Sequence, residues 1–225
     1  MGAVHHEVGL VLRRLGGESL TWSRPDMRSF ARAGGDKPWS ADVPVTGNAV
    51  RVSGPPLAPG SISLRLYPLD LPPEGAVQNL REQARMAEAA GFDGCMTSEH
   101  HGGFAGYLPN ALAGATWALD ATERIWAAPC PLVLPLRPLS QIVEDLAWTH
   151  HRYPGRVGVG VCAGALPVDF ELAGVPFAEA FARYRAALPE LVEALAGGAV
   201  GPLAADPAVA ALPAGAVPVL AAVQA

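Results

Sequence analysis

Glu99, His100 and His101 stand side by side, between an apolar run that ends at Thr97 and the pair Gly102-Gly103. A carboxylate and two imidazoles in so tight a group can take up and release protons near neutral pH. They could also ligate a metal. Adjacent residues at a strand end point to opposite sides, however, and no further His-x-His or Asp cluster completes a ligand set. The plain alternative is a polar loop with two solvated imidazoles. His150-His151 lies near the end of a helical pattern, where the dipole favours a positive ring. His5-His6 reads as an exposed pair without a role. The remaining soft groups are Cys95, Cys130 and Cys162. Three widely spaced cysteines form neither a disulfide framework nor a zinc site, and point to a reducing, cytoplasmic compartment.

Such a group needs a rigid platform. Gly94 to Thr97 is short and mostly apolar, which suits a strand buried on both faces. Before it, Val77, Leu80, Ala84 and Ala87 are spaced three, four and three, one face of a helix over about Gly75–Ala90. Gly91 then fits a left-handed helix terminator. Ile62, Leu64 and Leu66 alternate with Ser63 and Arg65, a strand that precedes this helix. Asn110, after Pro109, is suited to cap a second helix over Asn110–Ala121. Ile125–Ala128 begins a third strand, which Pro131–Leu134 continues past a kink imposed by Pro129, Pro131 and Pro135. Leu139, Ile142, Val143, Leu146 and Ala147 make a third amphipathic helix. Val157–Val161 is a fourth strand whose glycines permit close approach of a backbone or a ligand. A helix follows over about Ala178–Ala196, with a kink or break expected at Pro189. Pro218–Ala222 is a fifth strand.

Strand starts at 61, 94, 125 and 157 lie 33, 31 and 32 residues apart. Regular alternation at that length is the signature of right-handed βαβ units and a parallel sheet. Residues 1–60 differ. Ten Gly or Pro residues fall between Gly34 and Gly60, so an irregular or disordered leader is expected there. Val8–Leu15 is the one stretch of it that could form a strand or a helical turn.

The composition excludes several classes. Half of the 225 residues are hydrophobic and 16% are charged, with a net charge of -5. Nucleic acid or an anionic membrane held by bulk charge is therefore not expected. No run approaches the roughly 18 apolar residues of a membrane span, and no targeting segment stands out.

Five segments carry a family resemblance. They are Ala89-Ala90-Gly91-Phe92-Asp93-Gly94, Ser98-Glu99-His100-His101, Tyr107-Leu108-Pro109-Asn110, Leu134-Pro135 with Glu144-Asp145-Leu146, and Gly155–Val161. In this order and spacing, residues 61–225 resemble the luciferase-like flavin-dependent monooxygenases, the superfamily of bacterial luciferase. That resemblance implies a (β/α)8 barrel of the TIM type. It also implies reduced FMN, or in some branches a deazaflavin, bound at the carboxyl ends of the strands. The implied reaction inserts one oxygen atom of O2 into a small organic substrate. A flavin reductase is the implied partner, and helices two and three imply a possible homo- or heterodimer.

The resemblance also assigns residues. His100 matches the catalytic histidine, and Glu99 matches a residue near the flavin ring. His101 is expected to be structural. Cys162 matches the position of a cysteine close to the flavin's reactive edge, and lines the pocket. Cys130-Pro131 falls where the family has a cis peptide beneath the ring, so a cis bond is expected there. Gln224 falls where a loop for the flavin phosphate would begin. Ala163 stands where bacterial luciferase has a phosphate-binding arginine, which weakens the case for FMN in particular.

Five strand–helix units fall short of the eight of a closed barrel. The expectation is thus an incomplete, C-terminally truncated barrel. The main alternative to an enzyme is a non-catalytic remnant or an interaction partner of a homologous chain. A metal hydrolase using Glu99, His100 and His101 is the remaining reading.

Overall fold

A kinked strand divides the sheet of this protein in two. In the computed structural model, which describes residues 11–13, 19–21, 54–68 and 71–222, β5 (Trp126–Pro129) and β6 (Leu132–Val133) are halves of one strand line. The bond between them, Cys130–Pro131, is cis, as the resemblance implies. β5 pairs in parallel with β4 (Gly94–Thr97), which pairs in parallel with β3 (Ser63–Arg65). β6 pairs in parallel with β7 (Val159–Cys162), and β7 with β8 (Val219–Ala221). A bridge between Ala127 and Val157 joins the two sheets. The order β3-β4-β5 then β6-β7-β8 is therefore sequential, as successive right-handed βαβ units require. Five consecutive parallel strand lines are described.

The chain divides into two units, residues 1–46 and 47–225. In the first, β1 (Val11–Arg13) and β2 (Ser19–Thr21) form an antiparallel pair. The proposed site lies wholly in the second.

The helices follow the apolar periodicity. α1 (Pro73–Ala89) buries Leu80, Ala84 and Ala87. Its C-terminus closes as a Schellman motif: Gly91 N donates to Glu88 O at 3.1 Å and Phe92 N to Ala87 O at 3.0 Å, with Gly91 at φ 82°. α2 (Ala111–Ala121) is capped by Asn110, whose Oδ1 accepts from Ala113 N at 3.0 Å. α3 (Leu139–Arg152) buries Ile142, Val143, Leu146 and Ala147. These faces meet the sheet through Cys95, Ala127, Val159 and Val161, all buried. Gly94 has no room for a side chain, because the Trp126 ring lies where its Cβ would be.

The glycines of the fourth strand are approached by side chains of this same chain. Pro56 and Leu57 lie against Gly158, and the Cys130 side chain lies over Gly160. Pro56 and Leu57 thus pack at the amino end of β7.

Between β7 and β8 lie α4 (Pro167–Ala173), α5 (Ala180–Glu193) and α6 (Pro207–Ala210). Of the kink or break expected at Pro189, the break does not occur: α5 is continuous through it. Pro189 and Arg185, whose carbonyl loses its helical donor, are both exposed, so water can serve that carbonyl. The irregularity comes later, in the π-type turn at Ala194–Gly198, where Gly197 has φ 93°. The helix α4 was not foreseen from the sequence.

Candidate active site

The chemistry-bearing residues gather at the carboxyl ends of the strands. Arg65 ends β3. Ser98, Glu99, His100 and His101 follow β4. Cys130 and Pro131 follow β5, and Cys162 ends β7. In parallel α/β folds this end carries the chemistry, because connecting loops there converge over a rigid sheet.

His100 meets a partner that the linear sequence does not reveal. Its Nδ1 lies 2.8 Å from Oδ2 of Asp169, in the first turn of α4. The other carboxylate oxygen, Oδ1, accepts from the backbone N–H of His101 at 2.7 Å. Asp169 is fully buried, whereas the His100 side chain is 21% exposed. With the carboxylate accepting on both oxygens, Nδ1 carries the proton, and Nε2 has no partner among the described residues. Phe104 and Tyr107 flank the imidazole, with ring centroids at 4.8 and 4.5 Å.

The loop that presents His100 is pinned at both ends. His100 N donates to Leu108 O at 3.1 Å. Gly102, Gly103 and Gly106 adopt φ of 68°, 73° and 81°, which side-chain-bearing residues rarely do. Gly102 also lets Val168 and Leu172 of α4 pack against the loop. Asp169 and the loop are thereby fixed to each other.

Glu99 sits behind this face, at 1% exposure. Its Oε1 accepts from Val133 N at 2.9 Å, and its Oε2 from Ala111 N at 3.3 Å and from Arg137. Burial raises its pKa; the Arg137 guanidinium and the two amides pull the other way. One carboxylate thus ties β4 to β6, to the start of α2 and to Arg137. His101 is beside it, with its Nε2 buried and without a hydrogen-bond partner.

Cys130 and Cys162 are half-buried, and each interacts electrostatically with groups of the site. Burial pushes the Cys130 thiol up, and the Arg65 charge pulls it down. Burial also pushes the Cys162 thiol up; the Gly164 N–H opposes this, while Glu99, Cys130 and Asp169 add to it. Cys95 is buried within the sheet and pushed up to about 12, by burial and then by Glu88. Ala163 packs against the core. Gln224 lies outside the described residues. Among the described residues, no three His, Cys, Asp or Glu side chains gather as metal ligands. No described helix is long and apolar enough to cross a membrane.

In the sequence Asp169 and Arg137 carry no site signal, Ser98 stands only as part of a motif, and Arg65 only as a strand residue. For Asp169 one helix-start signal was available: a carboxylate two residues after Pro167, where a proline opens a helix and an acidic residue is favoured.

A family profile described as luciferase-like monooxygenase matches residues 61–221, more than half of the chain. The chain belongs to the luciferase-like monooxygenase family. Solved monooxygenase structures share its fold. Monooxygenase RslO1 from Streptomyces bottropensis superposes with a TM-score of 0.57 at 20% identity, over 60% of this chain and 43% of that one. The oxygenating constituent of 3,6-diketocamphane monooxygenase from Pseudomonas putida, in complex with FMN, gives 0.54 at 21% identity, over 60% and 40%. EDTA monooxygenase from Chelativorans gives 0.52 at 13% identity, over 63% and 41%. By sequence, the chain is 28% identical over 119 residues to the uncharacterized protein y4vJ of Sinorhizobium fredii, which covers 53% of this chain and 34% of that protein. The chain therefore spans less than half the length of these monooxygenase structures and of that relative.

Proposed function

We propose that the chain carries the proton-handling half of a flavin-dependent monooxygenase site, acting in the cytoplasm on a small organic substrate with O2. The observation that carries this is the His100–Asp169 pair at the strand ends of a luciferase-like chain.

The donor set suits a flavin. Two thiols that burial keeps protonated, Cys130 and Cys162, stand at the strand ends, and the nearby carboxylates of Glu99 and Asp169 are already engaged. An electron-rich ring system would thus meet no unpaired negative charge. Cys130, Pro131, Cys162 and His100 would hold it, with Glu99 as a positioning residue that fixes the loop from behind. Reduced FMN is the proposed cofactor, with a deazaflavin as the alternative; an FMN complex exists among the structural relatives. The cofactor supplies oxygen activation.

The chain's own residues supply the rest. Asp169 holds the His100 ring in one tautomer and stabilises the imidazolium that forms when Nε2 takes a proton. Nε2 can then return that proton to the reacting oxygen. Acid–base help of this kind contributes roughly 10²- to 10⁴-fold. Phe104 and Tyr107 cover part of the ring, which stays 21% exposed.

The test is direct. FMN is titrated into the purified chain by fluorescence quenching, and O2 uptake is followed with a separate flavin reductase supplying reduced FMN. Binding together with substrate-dependent uptake that collapses in His100→Ala supports the reading. Failure to bind any flavin or deazaflavin refutes it.

A second reading rests on the sheet edges. Ile62 beside β3 and Leu220 in β8 are 47% and 49% exposed, although parallel sheets are ordinarily covered on both faces. On this reading the chain pairs with a homologous chain and need not turn over alone. Size-exclusion chromatography distinguishes the two: a monomer with full flavin affinity removes the second.

A further inference from the structure

At the carboxyl end of β3 the Arg65 guanidinium has no acidic partner among the described residues. Its Nε donates to Ser98 Oγ at 2.6 Å, and Nη2 donates to the same oxygen. Ser98 is buried, so this hydroxyl fixes the plane of the guanidinium. Among the described residues, Nη1 and the outer hydrogen of Nη2 meet no acceptor. The Tyr67 and Tyr107 rings frame the group, with centroids 5.4 and 5.8 Å from Cζ. These two rings meet edge to face at 5.9 Å.

The position of this cation is informative. Tyr107 touches His100 on one side and Arg65 on the other. The Arg65 charge also reaches the Cys130 thiol, so it faces the same site. A part-buried charge ordinarily has a counter-charge. Here the neighbouring carboxylates are committed elsewhere, Glu99 to Arg137 and Asp169 to His100 and the His101 amide. The tyrosine faces compensate in part through their π-systems, but they supply no anion. A planar fork with free N–H groups matches a carboxylate, which it can hold with two charge-assisted bonds.

We propose that Arg65, fixed by Ser98 and framed by Tyr67 and Tyr107, is the subsite for the carboxylate of an organic acid whose apolar part lies along the Tyr107, His100 and Phe104 rings. The inference deepens the monooxygenase reading, and rests on it for the bound acid being the substrate. Tyr67 and Phe104 are both exposed, so a ligand can reach this surface from solvent.

The full, flavin-free chain is titrated by calorimetry with benzoate and with benzamide, which has the same shape without the charge. Benzoate is expected to bind at least about tenfold more tightly, and less tightly as salt rises. Arg65→Ala is expected to lose that preference, and Arg65→Lys to keep part of it, since the charge stays but the fork is lost. Ser98→Ala is expected to weaken benzoate a few-fold, with an unchanged circular dichroism spectrum. Equal affinity for benzoate and benzamide in the parent chain overturns the proposal, as does an absence of benzoate binding at millimolar concentration; neither result depends on any variant folding. Benzoate affinity in Arg65→Ala equal to the parent's also overturns it. Loss of FMN affinity in Arg65→Ala with benzoate binding intact assigns Arg65 to the cofactor instead. FMN titration of the parent separates the two readings: benzoate held by Arg65 without flavin affinity retains the subsite and removes the flavin assignment.

Discussion

His100 and Asp169 are 69 positions apart in the chain and 2.8 Å apart in the fold, Nδ1 to Oδ2. One leaves the end of β4, and the other opens the helix after β7. The same carboxylate also holds the His101 amide. It therefore fixes both the tautomer of the imidazole and the path of the loop that carries it.

Asp169→Asn tests that pairing. An amide in place of the carboxylate can present N–H to Nδ1 and so favour the wrong tautomer. Substrate-dependent O2 uptake is expected to fall about 100-fold, within the range for acid–base groups, while FMN affinity changes little. His100→Ala should cost about as much. The double variant should be no worse than either single one, because the two residues act as a unit. Additive losses would show that they work separately.

Glu99→Gln should destabilise the fold. All three partners of Glu99 are donors, so the glutamine NH2 would face one of them, and Arg137 would keep a largely buried charge without its anion. Breaking a pair of this kind costs about 3 kcal/mol. Urea denaturation should read a loss of that order. A midpoint unchanged from the parent would mean that Glu99 is not the tie described.

Glu88 gives a pH signature. Its Oε1 accepts from three successive amides, Glu123 N at 3.0 Å, Arg124 N at 2.6 Å and Ile125 N at 3.2 Å. Burial alone would raise its pKa, but those bonds outweigh it and the net direction is down. A depressed folded pKa means that the stabilisation is full above the ordinary glutamate value near 4.3. It is lost as pH falls through the folded value. Glu88→Gln should therefore be less stable than the parent by about 1 kcal/mol at pH 7, a figure kept small because the carboxylate is partly solvated. The gap should close in acid. A gap that is independent of pH would remove the charge from the explanation.

The cysteines should be slow nucleophiles. Cys95, buried and pushed up to about 12, should not react with a disulfide reagent at pH 8 until the protein unfolds. Cys130 and Cys162, also pushed up, should react slowly and faster as pH rises toward their own values. FMN should protect both if they line its site. Stoichiometric labelling of Cys162 within seconds at pH 7 would contradict this placement.

Much of the platform was legible in the sequence, because it depends on short-range rules. Apolar spacing set the faces of α1 and α3, and Asn110 and Gly91 marked a helix start and a helix end through their own local chemistry. The roughly 32-residue alternation implied parallel βαβ units, and the sheet order is sequential as those units require. The continuity of α5 through Pro189 has a local cause too. Proline removes one hydrogen bond, and whether that breaks a helix depends on whether solvent can serve the freed carbonyl, which the surrounding packing decides.

By itself, then, the sequence determined which residues sit at the strand ends, since strand length and side-chain alternation are written locally. Tertiary structure alone decided what those residues face. Asp169 reaches His100, Arg65 reaches Ser98 across 33 positions, and Arg137 reaches Glu99 across 38. Each contact joins separate strand–helix units. Such pairings follow from the register of neighbouring strands and the seating of helices on the sheet, which no local pattern encodes. That is why the Glu99-His100-His101 triplet could be singled out in the sequence, while the difference within it, one group buried as a tie and one paired with an aspartate, emerged only in the fold.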